Sequence, residues 1–277
     1  MYLAIRICWE AVNHFLEDDG WAISSHIALS GLMSLFPFLI VVTALAGFFG
    51  SRAYADEVTQ ILLEAWPATV AEPIAREISQ VLTTFRTDIL TLGVFLAIYF
   101  SSNGVEALRV ALNRAYEVRE PRWWYMLRME SILFVLVGAV ALLAVAFLVV
   151  LGPLLWQTAV RFVPGLAPLG WLVVFVRVAA ASVVIIASLT VVHLFLPAGR
   201  RRFNDVAPGI AATLVLWLIG GSLFGSYIAS FAQNYVNTYA GLASVMVALV
   251  FFYYTAAIFV IGGEINAAIW RIRGKIN

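Results

Sequence analysis

VAPGIAATLVLWLIGGSLFGSYIASFAQNYVNTYAGLASVMVALVFFYYTAAIFVIGG, residues 206–263, holds no Asp, Glu, Lys or Arg in 58 positions. A bilayer-crossing helix takes about 20 largely apolar residues. The run is too long for one crossing and suits two. Its one polar patch, Gln233 to Tyr239 (QNYVNTY), predicts the break between spans at 207–232 and 241–263.

Four more apolar runs lie upstream. Residues 27–49 carry no charge, with Pro37 near the middle. Residues 89–105 form a second run and 131–151 a third, closed by Gly152-Pro153. Residues 172–195 form the fourth and carry Arg177 and His193. Composition agrees: 63% of the chain is hydrophobic and 12% charged, about half the usual globular share. The expected fold is all-α: one polytopic membrane domain over 1–277 with six transmembrane helices.

Six spans place both ends on one side of the membrane. With the N-terminus inside, inner segments hold 12 of the 17 basic residues and outer segments only Arg52, Arg76, Arg86 and Arg161. The positive-inside rule therefore puts both termini in the cytoplasm. Residues 1–26 carry Arg6, Glu10, Glu17, Asp18 and Asp19 without a continuous apolar run, so no cleavable signal peptide is expected. Ile5, Cys8/Trp9, Val12 and Phe15/Leu16 instead recur at helical spacing, which predicts an amphipathic helix over 1–16, lying in the interface or packed as a soluble helix on the membrane domain, and ended by Asp18-Asp19-Gly20. The long outer segment, 50–88, shows two helical patterns separated by Pro67 and is expected to form a periplasmic helical hairpin.

Where the second span should leave the lipid, the chain turns polar. Ser102, Glu106, Arg109 and Asn113 stand at i, i+4, i+7 and i+11, one face of a helix. Glu106 and Arg109 are spaced to pair with each other. Asp205, Glu264 and Asn266 lie at the same inner level, so Glu106, Arg109, Asn113, Asp205, Glu264 and Asn266 are expected to gather at the inner mouth. Two readings stand: a structural cluster that fixes register and caps helices, with Asp205 capping the fifth span, or an inner gate or headgroup site. Pro37 can kink its helix, with Ser34 near the freed backbone. Arg177 either snorkels or meets an anionic group. Arg200, Arg201 and Arg202 suit anionic lipid headgroups. Gly221 and Gly225 form a GxxxG pair for close helix packing, within the chain or, secondarily, in a homo-oligomer.

Several chemistries find no residues. Net charge is +1, so nucleic acid is not an expected partner. Cys8 is the one cysteine, and His14, His26 and His193 lie far apart, so neither a metal site nor a catalytic set is expected. There is no phosphate-binding Gly-rich loop and no nucleophile elbow, and no cofactor is implied.

Four stretches resemble the YihY/virulence factor BrkB family of bacterial inner-membrane proteins: SLFPFLI (34–40), ALRVALNRAYEVREPRWW (107–124), FLPAGRRRFNDVAPGIAATLVLW (195–217) and YAGLASVMVALVFFYYTAAIFVIGGEINA (239–267). The resemblance implies a six-span inner-membrane protein of the cell envelope. Some family members are linked to export of envelope lipid precursors, and the family has carried a ribonuclease label. The residues do not supply ribonuclease chemistry. The expectation is a transporter or flippase for an amphiphilic, lipid-like anionic substrate, with a non-transporting scaffold as the rival. Glu106, Arg109, Asn113, Arg177, Glu264, Asn266 and Pro37 are its expected binding or gating residues.

Overall fold

A computed structural model describes residues 2–49, 87–162, 170–239 and 243–274. Among these the regular structure is helical, in seven elements: α1 (Tyr2–Glu17), α2 (Gly20–Phe49), α3 (Thr87–Ala115), α4 (Trp124–Phe162), α5 (Gly170–Phe195), α6 (Phe203–Tyr239) and α7 (Ala243–Ile272). Four of them contain stretches long and apolar enough to cross a membrane: 124–144, 170–195, 203–228 and 245–272. The two remaining expected spans fall in α2 and α3, where many apolar side chains lie outside the described set. The expected outer hairpin lies outside the described residues.

Two expected boundaries move. Gln233 to Tyr239 is the last part of α6, not a break, because Gln, Asn and Tyr do not terminate a helix as Gly or Pro does. Gly152-Pro153 does not close its span either, since α4 runs on to Phe162. Proline is tolerated inside membrane helices where neighbouring groups satisfy the freed backbone.

α1 has three faces. Ala11 and Phe15 are buried in the core. Ile5, Trp9, Val12 and Leu16 form an exposed apolar face, and Arg6, Glu10, Asn13 and Glu17 form the polar one. This is the pattern of a helix lying in the membrane interface. Asp19, with φ 55°, turns the chain into α2, and Gly20 is required there because a Cβ would overlap the Phe15 ring.

α2, α3, α6 and α7 form the packed centre, with α1 against α7 and α4 against α2 and α3. α5 packs on α4 and α6. From Trp171 to Ser188 no described α5 side chain is fully buried, and the helix joins the core near its end, through buried Leu189 and His193 with Val192 and Leu194 packed beside them. The tightest crossing is α6 on α7. A Cβ on Gly209 would overlap the Gly262 carbonyl oxygen, and one on Gly262 would overlap Thr213 Oγ1. Gly221 and Gly225, expected to support close packing within the chain, instead have no atom within 4 Å of a built Cβ. The small-residue crossing is real but uses a different pair.

Ser34 also departs from expectation. Its hydroxyl approaches Ser30 O at 2.5 Å and Phe100 O of α3 at 3.3 Å. It helps close the α2–α3 seam beside Gly104, where a Cβ would stand 3.1 Å from Ser34 Oγ.

Candidate functional site

α3 carries the polar face toward its C-terminal end, and its last turn is closed by a Schellman arrangement. Val118 N–H donates to Asn113 O and Glu117 N–H to Arg114 O, with Glu117 at φ 53° in the left-handed position that glycine usually fills. The turn directs residues 118–123 back along the bundle toward α4.

The expected Glu106–Arg109 pair does not form. Arg128 takes Glu106 at 3.2 Å, and also donates to Ser102 Oγ and Asn103 Oδ1. Arg109, 2% exposed, turns to α4: Nη2 donates to Ser131 Oγ (2.7 Å) and Leu127 O (3.0 Å) and stands 3.5 Å from Glu130 Oε2. Arg109 Nε and Nη1 are buried with no hydrogen-bond partner among the described residues. The pairing shifts because α4 supplies acceptors that α3 cannot: neighbours along one helix compete with partners across a seam.

Arg122 joins the same carboxylate. Its Nη1 lies 2.8 Å from Glu130 Oε2, while Nε and Nη2 hold both oxygens of Glu120. Asn113 Nδ2 donates to Glu120 as well. These bonds hold the Glu120 carboxyl well below its ordinary value, at about 2, with Arg122 the main cause. The same contacts raise Arg122. Three arginines (109, 122, 128) thus face three glutamates (106, 120, 130) across the α3–α4 seam.

A second group forms where α3, α6 and α7 meet. Asn266 is fully buried; Oδ1 accepts from Gly209 N–H at 2.7 Å and Nδ2 donates to Tyr116 Oη at 3.2 Å. Burial pushes the Tyr116 phenol up to about 12. α6 begins before Asp205, which is its third residue rather than the expected cap ahead of the span; Asp205 Oδ2 reaches back to accept from Arg202 N–H, as the acidic partner of a capping box does. Arg201 turns inward, its guanidinium 3.9 Å from the Tyr116 ring centre and 5.4 Å from that of Trp270, and burial lowers its pKa. Arg200 and Arg202 are exposed. Glu264, 1% exposed, lies 3.6 Å from Arg271 Nη2, and Arg271 also holds Glu10 of α1 at 3.0 Å and Glu117 at 2.7 Å.

Two expected site residues stand apart. Arg177 is 16 residues before His193 on α5, about 24 Å along a helix, and its side chain is outside the described set. Pro37 lies 17 residues along α2 from Gly20, about 26 Å from the inner end. Glu106, Arg109, Asn113, Asp205, Glu264 and Asn266 gather at the inner level, but in two groups. Glu120, Arg122, Arg128, Glu130, Ser131, Tyr116 and Arg271 complete those groups. Nothing in their spacing singled them out, apart from EPR at 120–122 within a family stretch. Among the described residues no three His, Cys, Asp or Glu side chains are arranged to hold a metal.

No solved structure matches the chain. Two relatives do. The ribonuclease-like protein YfkH of Bacillus subtilis is 28% identical over 264 residues, covering 95% of this chain and 94% of that protein. The UPF0761 membrane protein RC1_0578 of Rhodospirillum centenum is 25% identical over 279 residues, covering 99% of this chain, which spans 60% of that protein's length. The match to the virulence factor BrkB family extends over residues 11–276, nearly the whole sequence, and the chain belongs to that family of membrane proteins.

Proposed function

We propose that the protein is a bacterial inner-membrane transporter or flippase, with both termini cytoplasmic, for an amphiphilic, lipid-like anionic component of the envelope. One observation carries this reading: Arg109 is buried within the inner end of the bundle with Nε and Nη1 lacking acceptors. A buried, incompletely paired charge is costly, and membrane proteins keep such charges mostly along ligand or ion paths. In this reading Arg109 and Arg177 meet anionic groups from the two sides, Asn113 and Asn266 orient the inner end, and Pro37 permits bending of α2. Glu106 and Glu264 balance charge, and exposed Arg200 and Arg202 face lipid headgroups. We assign no enzymatic role. Metal-dependent RNA cleavage would need a group of ligands that the described residues do not offer.

A scaffold reading is favoured by the charge balance of the α3–α4 seam, which needs no ligand to be neutral. Native mass spectrometry with lipidomics on protein in native nanodiscs separates the two. A specific anionic lipid, enriched over the bulk membrane and lost in Arg109→Lys, supports transport. Bulk lipid with a stoichiometric protein partner overturns it. The lysine variant keeps one charge for Glu130, whereas Arg109→Ala would leave the seam unbalanced and confuse binding with folding.

A further inference from the structure

The short connection between α5 and α6, residues 196–202, begins inside the protein: its first three residues are buried and the chain reaches the surface only from Gly199 on. Connections between helices usually run over the surface because their backbone groups need water. Here Leu196 is 0% and Ala198 4% exposed, and Pro197 is fully buried as well. Leu196 belongs to the central apolar cluster with Leu112, Tyr116, Val206 and Phe259.

The backbone of this buried segment is satisfied by side chains from elsewhere. Arg122 Nη2 donates to Leu196 O at 3.0 Å. Ala198 N–H donates to Asn113 Oδ1 at 2.7 Å. Arg201, from the segment itself, donates to Ala198 O at 2.9 Å and lays its guanidinium on Tyr116. Asn113 and Arg122 are in turn both held by one carboxylate, Glu120. Gly199, at φ +90°, is where the chain leaves the buried part.

We propose that residues 196–202 are a plug in the inner mouth of the bundle. Asn113 and Arg122 are its latch, and Glu120 is the residue that positions both. The plug is apolar where it enters the core and is held by polar bonds that can be exchanged for water. Such a segment can be withdrawn without unfolding a span. What the plug holds back depends on the transporter reading, but its movement does not. The test needs no substrate, so failure of either idea is seen separately.

The experiment is cysteine labelling in nanodiscs. Cys8 is replaced by Ser, and single cysteines are placed at Leu196 or Ala198, with one at exposed Arg200 as the reference. A bulky polar maleimide reports exposure. Leu196→Cys and Ala198→Cys are expected to react far more slowly than Arg200→Cys. Adding Asn113→Leu or Arg122→Gln should speed both plug positions about fivefold, the population equivalent of one lost hydrogen bond. Glu120→Gln, which touches no plug atom, should do the same. Size-exclusion profile and thermal midpoint identify the variants that remain folded. Plug cysteines as reactive as the Arg200→Cys reference in the wild-type background would overturn the proposal. So would rates unchanged in every folded latch variant.

Discussion

The α6–α7 crossing offers the sharpest test of the fold, because three glycine-to-alanine changes should differ in sign. In an unobstructed helix, alanine in place of glycine stabilises by roughly 0.5–1 kcal/mol. Gly221 meets that condition, with nothing within 4 Å of a built Cβ, so Gly221→Ala should raise stability by up to that amount. At Gly209 the new methyl would overlap the Gly262 carbonyl oxygen and would stand 2.5 Å from Asn266 Nδ2. A backbone oxygen cannot rotate away, so the helices must part. Overpacking of this kind costs about 1–3 kcal/mol. Parting also stretches the Gly209 N–H to Asn266 bond, another 0.5–1.5 kcal/mol or so. Less the propensity gain, Gly209→Ala should lose about 2 kcal/mol. Gly262→Ala falls between, since Thr213 Oγ1 can turn away but must give up its bond to Gly209 O, itself 3.0 Å from the new methyl. Thermal unfolding of the three variants in one detergent, followed by intrinsic fluorescence, reads the order. Equal shifts for Gly209→Ala and Gly221→Ala would refute this account of the crossing.

The seam and its neighbours give further tests. The Glu120 carboxyl sits at about 2 in the fold against 4.5 when free, so its bonds stabilise fully above about pH 4.5 and are lost as pH falls toward 2. The wild-type thermal midpoint should fall across that window by more than that of Glu120→Gln, and parallel curves would count against the assignment. Arg271→Gln strands the buried Glu264 carboxylate and frees Glu10 of α1. It should cost on the order of 3 kcal/mol and speed hydrogen exchange over residues 2–17. Adding Glu264→Gln should recover part of the stability but not the α1 protection. Asn266→Leu removes the bonds to Gly209 N–H and Tyr116 Oη from a fully buried position and should cost about 2 kcal/mol. A loss under 0.5 kcal/mol in chemical denaturation would contradict it.

The helical fold was legible because lipid imposes one rule: backbone groups must be satisfied within the segment. A long charge-free run therefore reports a helix whatever its neighbours do. Boundaries were less legible. QNYVNTY looked like a break because it is polar, yet polarity and helix termination are separate properties, and only the glycine that follows has the conformational freedom to end a helix. The helix over residues 2–17 was legible from its period, but spacing grouped Phe15 with Leu16 on one apolar face, whereas Phe15 is buried in the core and Leu16 is exposed. GxxxG failed as a locator because spacing says where two backbones can approach, not whether a partner stands opposite. Gly209 and Gly262, which do cross, lie on different helices, and no single-helix pattern links them.

The site separates the same two kinds of information. Period fixes a face, so Ser102, Glu106, Arg109 and Asn113 were rightly placed on one side of α3. It does not fix partners across a seam. Arg109 is too buried to be served by Glu106 alone, and α4 brings Ser131, Leu127 O and Glu130 to the same point. Glu106 then falls to Arg128. Buried backbone was harder still to foresee. Leu196-Pro197-Ala198 reads as an ordinary link before a basic triplet. Only the structure shows that Asn113, singled out for its place on α3, spends its oxygen on Ala198 N–H. An asparagine that closes a foreign loop and leans on Glu120 is tied to both the structural and the gating readings of this cluster. In the plug proposed above they would be one mechanism: the bonds that satisfy the buried segment are the same bonds that would have to break for it to withdraw.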